Sequence, residues 1–178
     1  MLAALESIPD QAARDRLSRY ISALVRWSGT INLTGAANEG AIFDTLIRPV
    51  LGGEALVSGH VVDVGSGNGS PGLVLAALRP DLEFTLLEPR AKRWAFLRDA
   101  ARQMGVTNVL AVRARSDSYQ GRPAQTVTMR AVGLEVASLR GLLDGGRGDV
   151  LVFGGPDLTG AEAFPLTAGA RVQRVRFT

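Results

Sequence analysis

The stretch VVDVGSGNGSPG, residues 61 to 72, constrains the fold more than any other part of the chain. A strand-like run of valines enters a turn with four glycines in eight residues, and the apolar run GLVLAALRP follows at once. Strand, glycine turn and helix in that order open a βα unit, and its natural setting is a largely parallel sheet. Within the turn, GNGSPG (67–72) matches the dinucleotide fingerprint G-x-G-x-x-G letter for letter. In an NAD-binding unit, however, the first glycine directly follows the strand. Here the strand ends at Val64, so the register begins at Gly65 and puts Ser70 where the third glycine belongs. The match lies two residues late, and an NAD reading leaves Asp63 without a role.

The rest of the chain narrows the choice. At 178 residues with 46% apolar content it fits one domain with a proper core. The absence of cysteine excludes disulfides and cysteine-ligated metals, and no metal is expected. His60 is the only histidine and stands at a strand entrance, so a histidine-centred triad would have to use it. No run of 18 apolar residues is present, and Glu6 interrupts the first apolar run, which lacks a basic start. A cytoplasmic protein without a membrane partner is expected. Net charge is only +3, yet every basic residue except Lys92 is arginine. Base composition is the bland source of that bias, and alone it carries no nucleic-acid claim.

Periodicity predicts an amphipathic helix over 10–27, burying Leu17, Tyr20, Ile21, Leu24 and Val25, and a short helix from about Ala41 to Ile47 ended by Pro49. Strands follow at 60–64, 83–88, 108–114, 125–133 and 149–155, with a last edge strand at 170–177. Helices are expected at 71–80, at 91–104 (burying Trp94, Leu97, Ala100, Ala101 and Met104) and at 134–143. The alternation predicts a doubly wound, Rossmann-like α/β sheet over 59–178, with 1–58 a helical extension packed on it.

The glycine turn also suits S-adenosylmethionine. That cofactor has no pyrophosphate to place on a helix N-terminus, but it has an ammonium that Asp63 can neutralise directly or through water. Gly65, Gly67 and Gly69 let the backbone curl under the methionine and ribose, and Glu88, ending FTLLE, is in phase to accept both ribose hydroxyls.

With these residues in place, the chain from about Leu17 to Gly155 resembles the bacterial 16S ribosomal RNA guanine-N7 methyltransferases (RsmG, also called GidB). RWSGTINLTG is similar to the family's W-N-x-x-x-N-L-T bend, and DVGSGNGSPG to its D-V-G-S-G-x-G-x-P-G stretch, followed by a matching K-x-x-F-L run. RSD (115–117) stands where the family has R-x-E, and TMRAVG where it has S-R-A. The resemblance implies a class I methyltransferase, monomeric, that moves a methyl group from S-adenosylmethionine to N7 of a guanine in the small ribosomal subunit. It implies Arg115, Arg130 and Lys92 as catalytic residues that hold phosphate or the guanine edge. It adds Ser66, Pro71, Ser116, Asp117 and Arg130 to the cofactor site.

Plainer readings stand beside these. Arg115 and Lys92 also read as solvated cations, Arg130 as half of a structural ion pair, and Asp117 as a turn cap. Asn32 and Thr34 read equally as turn-formers, and Trp27 and Trp94 as core. The chain departs from the family in three places. LIRPVL lacks its His and Asp-Ser, Gly154 replaces the lysine that ends its fifth strand, and one edge strand replaces its closing hairpin. Weak activity is then expected, with Arg48 partly substituting for the missing cations, and Gly154→Lys is expected to raise it if the backbone there tolerates lysine. The open alternatives are a related methyltransferase acting on another RNA or a small molecule, and a non-catalytic relative that binds the cofactor or the ribosome.

Overall fold

The computed structural model describes residues 3–130 and 133–178. Its centre is a seven-stranded sheet in the order β3-β2-β1-β4-β5-β7-β6. The strands are β1 (Val61–Val64), β2 (Phe84–Leu87), β3 (Val109–Val112), β4 (Thr126–Arg130), β5 (Gly148–Phe153), β6 (Glu162–Pro165) and β7 (Arg171–Phe177). The first five run parallel, and β7 is antiparallel to both of its neighbours. The chain order reverses between β1 and its neighbour β4, which opens a crevice at the carboxyl ends of these strands.

Alternation along each strand sorts the apolar side chains onto two faces. Val61, Phe84, Leu86, Leu151 and Phe153 pack with helices α1 (Gln11–Ser28), α3 (Gly72–Leu78) and α4 (Ala91–Met104). Val62, Val64, Leu87, Val127 and Val150 face the other way, against Leu139 and Leu142. Asp10 caps α1 by accepting from the N–H groups of Ala12 and Ala13 at 3.0 and 3.2 Å. Gly105, at φ +71°, ends α4 in the left-handed conformation that glycine takes without penalty. Trp27 meets Phe96 edge-on at 6.0 Å and donates to Asp99 at 2.9 Å, joining α1 to α4. Among the described residues no helix is long and apolar enough to cross a membrane.

Several expectations are corrected. Val25 is 47% exposed, because α1 buries one stripe and Val25 lies beyond it. The second helical segment starts earlier, as α2 (Glu39–Ile42), widens into a π turn over Phe43–Ile47 and tightens into a 3-10 turn over Arg48–Val50 that contains Pro49. Residues 136–142 form a 3-10 helix in which only Leu139 and Leu142 are buried, too little apolar surface to hold a full amphipathic helix. Trp94 is half-buried and donates to the Ala111 carbonyl at 3.1 Å, while Phe96 takes the core position. Strand 170–177 is not the edge. It lies between β5 and β6, so the closing hairpin is present, and its outer strand carries proline where an edge tolerates it. The end of the strand expected at 125–133 reaches Ala131 and Val132, which lie outside the described residues.

Gly72 lets the start of α3 lie close against the sheet. A Cβ there would lie 2.5 Å from Leu86 Cδ2 and 2.6 Å from Asp63 Oδ2, both buried. The close helix–strand packing that NAD units assign to their third glycine is met here by Gly72, while Ser70 is free for other work. Gly72→Ala is therefore expected to cost roughly 1–3 kcal/mol, the usual penalty for overpacking a filled core. Urea unfolding measures it, and an unchanged midpoint would show that the helix can lift off at no cost.

Candidate active site

The turn after β1 is built from backbone. Gly65, Gly67 and Gly69 all have positive φ, at +67°, +48° and +92°. Side chains are rarely tolerated in this region, so the turn presents N–H groups where other loops present Cβ atoms. The Ser66 N–H donates to Leu87 O at 3.0 Å and its hydroxyl to Asp63 O at 3.0 Å, tying the turn to the ends of β2 and β1.

Two carboxylates bracket this turn. Glu88, at the end of β2 and 4% exposed, accepts from Gly67 N at 3.1 Å through one oxygen and from Arg90 N at 2.8 Å through the other. Each oxygen keeps a lone pair for a further donor. Asp63, in β1 and 1% exposed, accepts from the Thr128 hydroxyl at 2.7 Å through Oδ1, and its Oδ2 has no hydrogen-bond partner among the described residues. Burial pushes its carboxyl up to about 6, against the hydroxyl hydrogen bonds that pull it down.

Arg130, at the end of β4, donates to the Ser70 hydroxyl at 3.0 Å and to the Thr45 carbonyl at 2.7 Å. Ser70 in turn donates to the Leu46 carbonyl at 2.7 Å. Both carbonyls belong to the π turn, whose wide winding leaves them available. Burial lowers the Arg130 pKa from the ordinary arginine value. A cavity of about 320 Å3 opens here, lined by Leu33, Leu46, the turn from Gly65 to Asn68, Ser70, Arg93 and Arg130. A larger one, about 650 Å3, runs along β2 and β3 beside Thr85, Leu110 and Tyr119; of the residues singled out in the sequence only His60 lines it.

The structure thus brings together Gly65, Ser66, Gly67, Glu88 and Arg130, with Gly69 and Pro71 completing the turn and Asp63 beneath it. Arg115, Ser116 and Asp117 stand apart, in and beside a 3-10 turn after β3. The Arg115 and Asp117 side chains are 71% and 72% exposed, with 3.7 Å between Nε and Oδ2. Lys92 is exposed in the first turn of α4. Thr34 accepts from Ala36 N at 3.1 Å and so fixes its own bend, while Leu33 reaches the cavity. Arg48 is held by Asp44 at 2.9 Å and lies over the Phe43 ring at 5.0 Å, outside the cavity lining. Gly154 has φ +73°, so the condition for placing a lysine there fails. Sequence reasoning missed Asn68, Ser70 and Arg93. The first two are polar residues in a turn otherwise built of glycine, a visible signal, whereas Arg93 had only its place beside Lys92.

Residues 13–152 match the family model of the rRNA small subunit methyltransferase G proteins (GidB). The chain belongs to this family. It is 37% identical over 140 residues to the ribosomal RNA small subunit methyltransferase G of Halorhodospira halophila, covering 78% of this chain and 65% of that protein. Against the protein of the same name in Neisseria gonorrhoeae it is 36% identical over 137 residues, covering 73% and 64%. The matches thus span slightly under two thirds of these relatives' length. Among solved structures, the fold is similar to a precorrin-6y C5,15-methyltransferase from Geobacter metallireducens (TM-score 0.54, 14% identity, 83% of this chain and 91% of that one). It is also similar to a SAM-dependent methyltransferase from Aquifex aeolicus (TM-score 0.54, 11% identity, 77% and 93%). In this member of the methyltransferase G family the sheet is therefore the Rossmann-like sheet of class I methyltransferases, and among the described residues no cluster of His, Cys, Asp or Glu could hold a metal ion.

The buried acid gives a pH signature. The Asp63 pKa lies near 6 in the folded chain and at 3.8 when unperturbed, so between these values the folded state binds more protons than the unfolded one. Stability therefore falls as pH rises from about 4 to 6, by up to about 1.4 kcal/mol per unit. Asp63→Asn is expected to flatten that limb in unfolding curves taken across the window. A slope that survives in the variant would assign the proton to another group.

Proposed function

We propose that the chain transfers a methyl group from S-adenosylmethionine to N7 of a guanine in the 16S ribosomal RNA of the small subunit. The observation that carries this reading is the pair of buried carboxylates, Asp63 and Glu88, bracketing a turn made of backbone donors. The donor set fits the cofactor. Glu88 has lone pairs left for the two ribose hydroxyls, the unpartnered Asp63 Oδ2 provides a negative charge beneath the turn for the ammonium, and the glycines leave room above it. Ser66 and Pro71 shape the turn, and Ser116 and Asp117, though apart from it, are assigned here to the adenine end of the cofactor. When bound, S-adenosylmethionine supplies an electrophilic methyl group on a sulfonium.

What the protein must add is position. N7 of guanine carries a lone pair and no proton, so no general base is required. The cavity lining agrees, since it consists of apolar, amide, hydroxyl and guanidinium groups, with no side chain that titrates near neutrality. Arg130, fixed by Ser70 and the Thr45 carbonyl, and Arg93 from α4 present donors that suit the guanine O6 edge or a neighbouring phosphate. Holding acceptor and donor in line then supplies the rate. Arg115 and Lys92, both exposed, serve the RNA and not the cofactor. The protein works as a cytoplasmic monomer on the small subunit.

The test uses purified small subunits and labelled cofactor. Glu88→Ala is expected to weaken cofactor binding about ten- to a hundred-fold, the worth of charge-assisted hydrogen bonds. Arg130→Ala is expected to abolish transfer while cofactor affinity stays within a few-fold. Calorimetric binding of NAD, or cofactor affinity unchanged by the loss of Glu88, would overturn the reading.

A further inference from the structure

The loops that leave β2 and β3 run side by side. The strand register pairs Leu87 with Val112, so Glu88 and Arg113 come next on neighbouring strands. The Arg113 Nε–H donates to the Pro89 carbonyl at 3.4 Å, and the Arg90 N–H to Glu88 at 2.8 Å. Two short loops are thus joined to each other and to the acid that closes the glycine turn. They carry Arg90, Arg113 and Arg115, all exposed; exposed Lys92 follows in the first turn of α4, and Arg93 beside it is in the cavity wall.

The surroundings of these cations differ from those of seven arginines elsewhere on the chain. Arg48, Arg79, Arg102, Arg122, Arg171, Arg174 and Arg176 each sit against a carboxylate. Among the described residues Arg90, Lys92 and Arg113 form no ion pair, and Arg115 has only the exposed Asp117 at 3.7 Å. Exposed ion pairs add little stability, but they cancel the field of both partners. With a net charge of +3 over the whole chain, three cations without an ion pair beside Arg115, on two joined loops and the first turn of α4, are a local concentration. Like charges held together repel.

We propose that Arg90, Lys92, Arg113 and Arg115 form a phosphate-binding rim that holds a single RNA strand across the β2–β3 side of the cavity. This inference rests on the RNA methyl-transfer reading and adds to it the path of the substrate strand. Guanidinium forks engage phosphate oxygens bidentately and carry no base specificity, which suits a positioning surface beside a base-selective cavity. The rim also attracts a polyanion before it docks, favouring encounter at low salt.

The experiment measures binding of small-subunit ribosomal RNA by filter retention between 50 and 300 mM salt, with S-adenosylmethionine binding followed by calorimetry. The double variant Arg90→Glu/Arg113→Glu is expected to lose at least ten-fold in RNA affinity and to keep its cofactor affinity. The milder Arg90→Gln/Arg113→Gln is expected to give a salt dependence shallower by about 1.4 in log–log slope, at ~0.7 per lost phosphate contact on single strands. It also decides the matter should charge reversal disturb folding. Arg176→Glu, at the far side of the sheet, is the control and is expected to bind as the parent does. If the parent binds RNA and the Gln variant matches it in affinity and slope, the rim is overturned while the methyl-transfer reading stands. If the parent binds cofactor but no RNA, that reading falls and takes the rim with it.

Discussion

A turn made of glycine cannot hold itself in place. It has few side chains to pack, and it loses more backbone freedom on folding than any other sequence of its length. In this protein the turn is held from outside, through three residues. Asn68 accepts from the Tyr20 hydroxyl at its carbonyl (2.8 Å), donates its amide to Leu33 O (3.2 Å) and accepts from Ser70 N (3.1 Å). Ser70 donates to Leu46 O and accepts from Arg130, and Gly69 rests on Leu73 and Tyr20, where a Cβ would lie 2.6 and 3.2 Å from their side chains. Helix α1, the Asn-Leu-Thr bend, the π turn and β4 all converge on residues 68–70. Burial raises the Tyr20 phenol pKa and so keeps it protonated as a donor. At about 1 kcal/mol net per hydrogen bond, this set offsets several residues' worth of backbone entropy. The first fifty residues are thus part of the site, because without them the turn has no fixed shape.

The same clamp sorts charge by depth. Asp63 and Glu88 lie below the turn, out of water, one held by a strand hydroxyl and the other by backbone N–H groups. The guanidinium groups lie above it, with Arg130 and Arg93 in the cavity wall and the remainder exposed. A ligand that bears hydroxyls and an ammonium suits the two acids, and a polyanion suits the guanidinium groups.

What could be read in the sequence follows from how local each signal is. The valine run, the glycine phase and the acid ending the next strand are short-range patterns, and they placed β1, the turn, β2 and Glu88. The span of α4 was equally plain, since its apolar residues recur at helical spacing and Gly105 stops it. Arg93 was not legible, because one step along a helix turns a side chain by about 100° and only packing decides whether position 92 or 93 faces the cavity. Asn68 and Ser70 find their partners 24 to 60 residues away, beyond any local pattern. Strand β6 was invisible because Glu162–Pro165 has no strand signature of its own and exists only by pairing with β7.

The glycine at 154 bears on how such a site keeps its cations. Its φ of +73° is one that lysine resists, its N–H donates to Arg171 O at 3.0 Å, and its carbonyl accepts from Gln173 at 3.4 Å. The end of β5 is therefore joined through its backbone to the hairpin that closes the sheet, and it is the left-handed conformation, not a lack of room, that opposes a lysine there. Arg48 does not make up the loss, being bound to Asp44 and laid on Phe43. The positive charge at the cavity comes instead from β4 and α4, through Arg130 and Arg93, whose positions are set by the turn clamp and by the helix that packs on α1. What the resemblance places on a strand end is here supplied by the elements that hold the glycine turn, so the charge and the shape of the cavity depend on the same few contacts.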